Sequence, residues 1–287
     1  MSFDPGGPAA CVIGWPVDHS RSPLIHNHWL KACGVAGEYR REAVPPEKFR
    51  DFLQSLAARG YVGANLIFPH KEVALTCSEP DDRARAVGAA NTLWRDGGVL
   101  RATNTDVEGF LDNLDACVPA WDRDGGTAVV LGAGGAARAV VYGLLNRGMH
   151  CIVVINRTPR RTQALQAWFG ARVAIAAWEE RDQHLAQARL LVNATKLGMP
   201  GQPELVLDVS RLPADAAVAD LVYVPVVTPL LRAAMARNLR TADGLGMLLR
   251  QAVPQFQLWF GKKPEITKEL RSLLEQNLSV PQPRNQE

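Results

Sequence analysis

One short segment, TAVVLGAGGAA, constrains the fold of this chain more than any other part of it. Its first five residues, Thr127–Leu131, are apolar or β-branched and predict a buried strand, and a helical pattern follows over about 136–146. Between strand and helix, Gly132, Gly134 and Ala137 match the pattern G-x-G-x-x-A. A strand, a tight turn and a helix in this order predict one unit of a parallel α/β sheet.

The glycine-rich turn has the composition expected of a dinucleotide phosphate site. Gly132 permits the tight turn, Gly134 lets the backbone approach a pyrophosphate, and Ala137 allows the helix to pack closely. A tight turn alone would also explain these residues. The flanking strand and helix, with a second strand ending about 20 residues further on, favour dinucleotide binding. The residues predicted to contact the cofactor here are Gly132, Ala133, Gly134, Gly135 and Ala136.

The end of that second strand, INRTPRR, indicates which dinucleotide binds. An NAD site would place Asp or Glu there against the ribose 2′-hydroxyl, and this segment has neither. Arginine forms bidentate contacts with a 2′-phosphate, whereas a carboxylate would repel it. NADP is therefore the predicted cofactor, and the alternative is a solvated basic turn. The residues predicted to hold this end are Asn156, Arg157, Thr158 and Arg161.

Composition narrows the class of protein. A length of 287 residues predicts two domains at about 150 residues each. The net charge of +3 does not indicate a nucleic-acid partner, and no apolar run approaches the length of a membrane span, about 18 residues. Five cysteines without a C-x-x-C pair argue against a disulfide framework and a metal site. The first ten residues, MSFDPGGPAA, lack the apolar core of a signal peptide, so we expect a cytoplasmic protein. We also expect a monomer or homodimer that acts on a small-molecule substrate.

Short apolar runs alternate with helical segments along most of the chain and predict a two-domain α/β protein with mainly parallel sheets. The composition changes over 118–126, where prolines, aspartates and glycines interrupt the pattern. We predict a substrate-binding domain over 1–106, completed by C-terminal helices within 244–287, and a Rossmann-like NADP domain over 107–243. The helical tail over about 245–277 is too long for one more crossover, which is why we expect it to return to the first domain.

Individual elements are also predicted from periodicity. In the first domain the strands are expected over 10–13, 38–44 and 63–67, the helices over 23–33 and 46–59, and a hairpin over 91–102. In the second domain the strands after the glycine-rich turn are expected over 150–155, 172–175, 189–193 and 217–222.

Three segments place polar side chains where strands of the first domain end: HSRSP, NLIFPHK, and NT followed by ATNTD. Each has a local explanation, since Ser22 before Pro23 suits a helix N-cap, Asn91 and Asn104 suit turns, and a solvated side chain would account for Lys71. Together they offer hydroxyls, amides, one ammonium and one carboxylate. This set is suited to orienting a small polyhydroxylated acid.

Taken together, the motifs from Val12 to about Trp259 resemble those of the shikimate dehydrogenase family. They are GWPVDHSRSP, NLIFPHK, GAANTL, ATNTD, GAGGAARA, INRT, NATKLGM, DLVYVP, TPLL and GLGMLLRQA. The resemblance implies a substrate domain built from both ends of the chain around an NADP domain. It also implies NADP-dependent, reversible reduction of 3-dehydroshikimate to shikimate in aromatic amino-acid biosynthesis.

The same resemblance implies roles for individual residues. Lys71 and Asp106 match the family's paired Lys and Asp. Oxidising a secondary alcohol by hydride transfer needs a base, and the reverse reaction needs an acid, so Lys71 is the acid/base candidate and Asp106 orients it. Ser20 and Ser22 would hold the substrate carboxylate, and Asn91, Asp106 and Gln251 its hydroxyls. Further cofactor residues in matching motifs are Thr195, Met199, Leu221, Tyr223 and Gly244. Alternatives are an exposed helix position for Gln251 and a packed aromatic for Tyr223.

The chain departs from the family pattern at four positions: Ile67 stands for Thr, Leu66 for Val, Val107 for Gly and Lys196 for Ser. Ile67 matters most, because a hydroxyl that faces the substrate is replaced by a β-branched apolar group. One alternative is therefore a paralogue acting on quinate, an aminoshikimate or another shikimate-like acid. A second is a catalytically silent NADP-binding regulator, against which the retention of Lys71 and Asp106 argues.

Overall fold

The structure is a computed structural model that describes residues 7–279. The outer ends of the predicted first domain, residues 1–6 and 280–287, lie outside the described part of the chain, and so does most of the segment used to argue against a signal peptide. None of the helices within residues 7–279 is long and apolar enough to cross a membrane.

The first sheet has six strands: β1 (Ala9–Gly14), β2 (Glu38–Ala43), β3 (Tyr61–Leu66), β4 (Glu79–Pro80), β5 (Thr92–Asp96) and β6 (Val99–Thr103). Their order is β2-β1-β3-β5-β6-β4. β1 pairs in parallel with β2 and β3, whereas β5 runs antiparallel to β3 and β6. The predicted hairpin is confirmed as β5 and β6, with the two glycines of its turn, Gly97 and Gly98, at positive φ.

Three helices accompany this sheet: α1 (Ser22–Ala32), α2 (Phe49–Gln54) and α3 (Asp82–Val87). A fourth, α4 (Asp106–Cys117), follows β6, and its residues Phe110 and Leu114 pack in the core of the second sheet. The helix predicted over 46–59 is wrong in extent, because a 3-10 turn at Pro46–Lys48 precedes α2 and the helix ends at Gln54. The Ser55 hydroxyl donates to the carbonyl of Phe52 at 2.9 Å, and such local side-chain bonds compete with helix continuation. The N-cap explanation for Ser22 is also wrong, because Arg21 is the N-cap and Ser22 is already helical.

The second sheet also has six strands: β7 (Thr127–Leu131), β8 (Cys151–Ile155), β9 (Val173–Ala176), β10 (Ala188–Asn193), β11 (Ala217–Asp220) and β12 (Arg240–Ala242). Helices α5 (Gly135–Asn146), α6 (Pro159–Phe169) and α7 (Pro229–Ala236) connect some of them. The order is β12-β11-β10-β7-β8-β9 with every pair parallel, which is the doubly wound Rossmann order. The strand order reverses between β7 and β10, where ligands bind in such sheets.

The helical tail consists of two helices, α8 (Gly244–Phe260) and α9 (Lys268–Ser279), and not of one continuous helix. Gly261, with φ of 72°, ends α8 in the left-handed conformation that glycine adopts without strain. Both helices pack with α1 against the first sheet, in a core that includes Val12, Phe256 and Leu274. The chain therefore leaves the first sheet, builds the second, and then returns to cover the first. The α/β architecture expected from the sequence is confirmed.

Candidate active site

A cleft of about 690 Å³ lies where strand ends of the two sheets face each other. Pockets of this size bury most of the surface of a drug-sized ligand. All but one of the site residues predicted from the sequence line this cleft. The exception, Thr158, is the N-cap of α6, and its carbonyl accepts a hydrogen bond from the Asn156 side chain at 3.3 Å.

The centre of the cleft holds an ion pair between Lys71 and Asp106. Lys71 Nζ lies 2.5 Å from Asp106 Oδ2, and the two side chains are 17% and 7% exposed. Asp106 opens α4, and its Oδ1 accepts a hydrogen bond from Asn91 Nδ2 at 2.9 Å. The two carboxylate oxygens thus have separate partners, and the carboxylate holds the amino group in a fixed place.

A buried amide network stands behind this pair. Asn91 Oδ1 accepts from the backbone N–H of Thr105 at 2.8 Å, which fixes the amide that contacts Asp106. Gln251, on α8, is only 7% exposed, so it is not an exposed helix residue, and it accepts from Asn91 Nδ2 at 3.3 Å. Gln255 is fully buried and donates to the hydroxyl of Thr105 at 2.8 Å. Sequence reasoning missed Gln255, for which the four-residue spacing from Gln251 on one helix was the available signal.

One wall of the cleft presents buried hydroxyls, and two arginines that do not line the cleft, Arg21 and Arg41, lie near it. Ser20 and Ser22 are both buried, and the backbone N–H of Ser22 donates to Ser20 Oγ at 3.3 Å. Burial raises the pKa of the Tyr223 hydroxyl, although Arg21 and Arg41 oppose that rise, so this tyrosine remains a protonated donor. Arg41 Nη2 donates to the carbonyl of Ser20 at 2.8 Å. An anionic group, such as a carboxylate, meets favourable partners at this wall.

A second buried tyrosine, Tyr39, supports the same wall. Its hydroxyl donates to Asn65 Oδ1, and burial raises its pKa. Asn65 lines the cleft at the end of β3. Tyr39 could not be singled out from the sequence, because an aromatic side chain in a strand is ordinarily part of a core.

The opposite wall carries the glycine-rich turn at the reversal point of the second sheet. Gly132 has φ of 111°, and a Cβ built there would lie 2.8 Å from the carbonyl oxygen of Ala194. Gly134 leads into α5, and a Cβ built on it meets nothing within 4 Å. The backbone at Gly134 is therefore open to a ligand, as a pyrophosphate site requires.

The loop after β10, which faces this turn, is held by a buried polar cluster. Asn193 Oδ1 accepts from the Thr195 hydroxyl at 2.7 Å, and Asn193 Nδ2 donates to Asp220 Oδ1 at 2.9 Å. Burial raises the pKa of Asp220 to about 6. Thr228 also donates to Asp220, at 2.7 Å. This cluster, which sequence reasoning missed, fixes the position of Thr195 at the cleft.

The arginines at the end of β8 are available to an anion. Arg157 and Arg161 are exposed and line the cleft, and neither forms an ion pair with any residue in 7–279. Guanidinium groups at this position, together with an open glycine-rich turn, fit a dinucleotide with a 2′-phosphate. The residues present are therefore those that NADP needs.

Three of the four positions that depart from the family pattern, Leu66, Ile67 and Lys196, line the cleft, whereas Val107 packs in a small core with Ala139. Ile67 packs over Gly14, because a Cβ built on Gly14 would fall 2.3 Å from Ile67 Cγ1. Phe68 is 52% exposed, and Lys196 Nζ lies 3.9 Å from the centroid of its ring. Burial lowers the pKa of Lys196. This cation–π contact joins the first sheet to the loop after β10.

A Rossmann sheet, an open glycine-rich turn and a lysine–carboxylate pair across one cleft define a pyridine-nucleotide-dependent oxidoreductase. This chain is 58% identical to a shikimate dehydrogenase (NADP(+)) of Nitrobacter hamburgensis over 283 residues, which cover 99% of each of the two chains. The chain belongs to the shikimate dehydrogenase family.

Family models and solved structures agree with this membership. The models match as the shikimate dehydrogenase substrate binding domain over residues 12–93, shikimate / quinate 5-dehydrogenase over 120–210, and the shikimate 5′-dehydrogenase C-terminal domain over 244–271. The structure of shikimate 5-dehydrogenase from Thermus thermophilus in complex with NADP(H) and shikimate is similar, with 36% identity, a TM-score of 0.82, and coverage of 94% of this chain and 99% of that one. Quinate dehydrogenase from Corynebacterium glutamicum in complex with NAD has 32% identity, a TM-score of 0.84, and coverage of 93% and 99%.

Proposed function

We propose that this enzyme catalyses the reversible, NADP-dependent reduction of 3-dehydroshikimate to shikimate, a step of aromatic amino-acid biosynthesis. The observation that carries the proposal is the Lys71–Asp106 pair, which faces the open turn at Gly134 across one cleft. The 58% identical relative is named for the same substrate and the same cofactor.

The chemistry follows from the groups present. NADP, when bound, supplies the nicotinamide that gives or takes the hydride. The neutral amine of Lys71 accepts the hydroxyl proton as the alcohol becomes a ketone, and its ammonium returns that proton in the reverse direction. Asp106 accepts a hydrogen bond from Lys71 Nζ and holds it at the reacting oxygen. A catalytically silent regulator would need neither group.

The remaining residues divide between substrate and cofactor. Ser20 and Ser22 bind the substrate carboxylate, Asn91, Asp106 and Gln251 bind its hydroxyls, and Ile67 lies beside it. The cofactor is held by Gly132, Ala133, Gly134, Gly135, Ala136, Asn156, Arg157, Thr158, Arg161, Thr195, Met199, Leu221, Tyr223 and Gly244. Thr158 contributes through its carbonyl, which accepts a hydrogen bond from the Asn156 side chain.

The same proposal includes the organisation of the chain. Residues 1–106 with 244–287 form the substrate-binding domain, and residues 107–243 form the NADP domain. Core packing supports this division, because Leu274 packs with Val12. We place the enzyme in the cytoplasm as a monomer or homodimer, and its five free cysteines are typical of a reducing compartment.

Ile67 favours one alternative, a related acid such as quinate as the preferred substrate. An assay of NADP+ and NAD+ reduction with shikimate, quinate and close analogues tests both candidates at once. The main proposal predicts the highest kcat/KM with shikimate and NADP+. A higher value with quinate would establish the alternative, and no turnover with any of these acids would contradict both.

A further inference from the structure

The glycine-rich turn contains one glycine that the dinucleotide pattern does not require. The pattern G-x-G-x-x-A fixes Gly132, Gly134 and Ala137 but leaves position 135 free. Gly135 is the first residue of α5, and its φ lies outside the left-handed region. In a helix, glycine is less favourable than alanine by roughly 0.5–1 kcal/mol. Backbone conformation therefore gives no reason for glycine at this position.

The reason lies across the cleft, in the aliphatic part of Lys71. A Cβ built on Gly135 would lie 3.1 Å from Lys71 Cβ and 3.2 Å from Lys71 Cδ. Carbon atoms pack best at about 3.5–4.0 Å, so any side chain at residue 135 would displace the lysine by a few tenths of an ångström. The neighbouring Gly134 is different, because a Cβ there meets nothing within 4 Å.

Lys71 is held at three points along its length. Its carbonyl accepts a hydrogen bond from the backbone N–H of Ala90 at 2.8 Å. Its stem lies against Gly135, and its Nζ lies 2.5 Å from Asp106 Oδ2. Two of these contacts belong to the first sheet and its loops, whereas Gly135 belongs to the second. The contact between the Lys71 stem and Gly135 is therefore the one that depends on the distance between the two walls of the cleft.

We propose that Gly135 is a positioning residue for proton transfer: its bare backbone is the surface on which the Lys71 stem rests, and it keeps Nζ against Asp106. The inference rests on the proposed function, because it assigns to Gly135 the placement of the acid/base group. The turn that holds the nucleotide phosphates therefore also sets the position of the lysine. A nucleotide-binding role alone would not require glycine here, since alanine keeps the backbone N–H.

The test compares Gly135→Ala with the matched variant Gly134→Ala. A misplacement of about 1 Å costs roughly 100-fold in rate, so a few tenths of an ångström should lower kcat of Gly135→Ala about five- to tenfold. Its Kd for NADP+ should stay within about twofold, because no backbone donor is lost. Gly134→Ala should raise the Kd for NADP+, because its methyl group enters the space open to the ligand; since that methyl group has no neighbour within 4 Å, this variant shows the effect of weaker binding without displacement of Lys71.

Two further measurements are specific to positioning. The solvent deuterium isotope effect on kcat should increase in Gly135→Ala, because proton transfer becomes more limiting. In a Lys71→Ala background, Gly135→Ala should cause no further loss of the residual activity, since no amine remains to be placed. A wild-type kcat in Gly135→Ala, or a loss that only parallels weaker NADP+ binding, would overturn the proposal.

A crystal structure of Gly135→Ala separates this inference from the proposed function. The expected result is a Lys71 Nζ to Asp106 Oδ2 distance longer than 2.5 Å, measured against a wild-type crystal structure. An unchanged distance would overturn the positioning role whatever the substrate is. Absence of turnover by the wild-type enzyme with shikimate would instead contradict the proposed function, while the crystal structures would still decide the role of Gly135.

Discussion

Replacing Ile67 by threonine should raise kcat/KM with shikimate. Ile67 lines the cleft, where its methyl groups would face a substrate hydroxyl that a threonine hydroxyl could bond. A neutral hydrogen bond contributes about 0.5–1.5 kcal/mol, and an unsatisfied buried polar group costs about 1–3 kcal/mol. At about 1.4 kcal/mol per factor of ten, the gain should be roughly 2-fold to 150-fold. Most of it should appear in KM if the bond is equally strong in ground and transition states.

The packing of Ile67 supplies the control for this experiment. Its Cγ1 and Cδ1 fill the space over Gly14, and both threonine and valine lack the Cδ1 atom. Ile67→Val should lose about 0.5–1.5 kcal/mol of unfolding free energy through the small void that remains, and Ile67→Thr at least as much, because it also places a hydroxyl there. Because valine has the shape of threonine without its hydroxyl, the Thr to Val ratio of kcat/KM isolates the hydrogen bond.

The assay is steady-state formation of NADPH from NADP+ with shikimate and with an analogue that lacks the matching hydroxyl. With shikimate, Ile67→Thr should exceed Ile67→Val and the wild type. With the analogue, it should not exceed Ile67→Val. Equal kcat/KM for Ile67→Thr and Ile67→Val with shikimate would refute the reasoning, because the side chain would then not face the substrate hydroxyl.

Three other changes test separate parts of the molecule. Lys71→Ala should lower kcat at least about 100-fold and leave the Kd for NADP+ unchanged. Turnover above a tenth of the wild-type rate would rule out Lys71 as the acid/base. Arg157→Ala should reduce the preference for NADP+ over NAD+ about tenfold or more, because only NADP+ has the 2′-phosphate. The preference is measured as the ratio of the two kcat/KM values. An equal loss of kcat/KM with both cofactors would show that Arg157 is structural. His26 is fully buried against Tyr39, and burial lowers its pKa from 6.5 to about 3. The unfolded chain therefore takes up a proton first as pH falls, so the wild type should lose about 2 kcal/mol of unfolding free energy through His26 between about pH 8 and pH 5. Urea denaturation of His26→Phe should show a pH dependence smaller by that amount, and identical pH dependence in both proteins would contradict the burial argument.

The elements predicted best are those specified by their own residues. The strand Thr127–Leu131 has the predicted bounds, because a buried β-branched run ends at a glycine turn. The strand Arg240–Ala242 and the helix Asp82–Val87 were not predicted, since three and six residues carry too little periodicity. Helix 46–59 was predicted too long because periodicity does not account for the side-chain bond of Ser55.

The residues of the candidate site also fall into those that could be predicted from the sequence and those that could not. Residues within motifs were located from sequence, and the cleft brings nearly all of them together. The spacing from Gln251 places Gln255 on the same helix face, but its role was not located, because its partner Thr105 lies 150 residues away and their bond exists only after folding. The bond between Asn193 and Asp220 spans 27 residues and two neighbouring strands. Gly135 was interpreted as part of the nucleotide-binding turn. Its contact with Lys71 arises only because the two walls of the cleft lie close together in the folded protein.

The return of α8 and α9 to the first sheet has a consequence for synthesis on the ribosome. The second sheet needs only strands between Thr127 and Ala242, so it can form while the chain is still being made. Residues of α1 such as Trp29 can cover part of the apolar face around Val12 early, but the part that α8 and α9 cover must wait for Leu274 to emerge. At about 5–20 residues per second, that part of the face stays uncovered for roughly 10–50 s in each round of translation. Chaperones that bind nascent chains therefore meet an exposed sheet at the N-terminal end of this protein, while its middle portion is already folded.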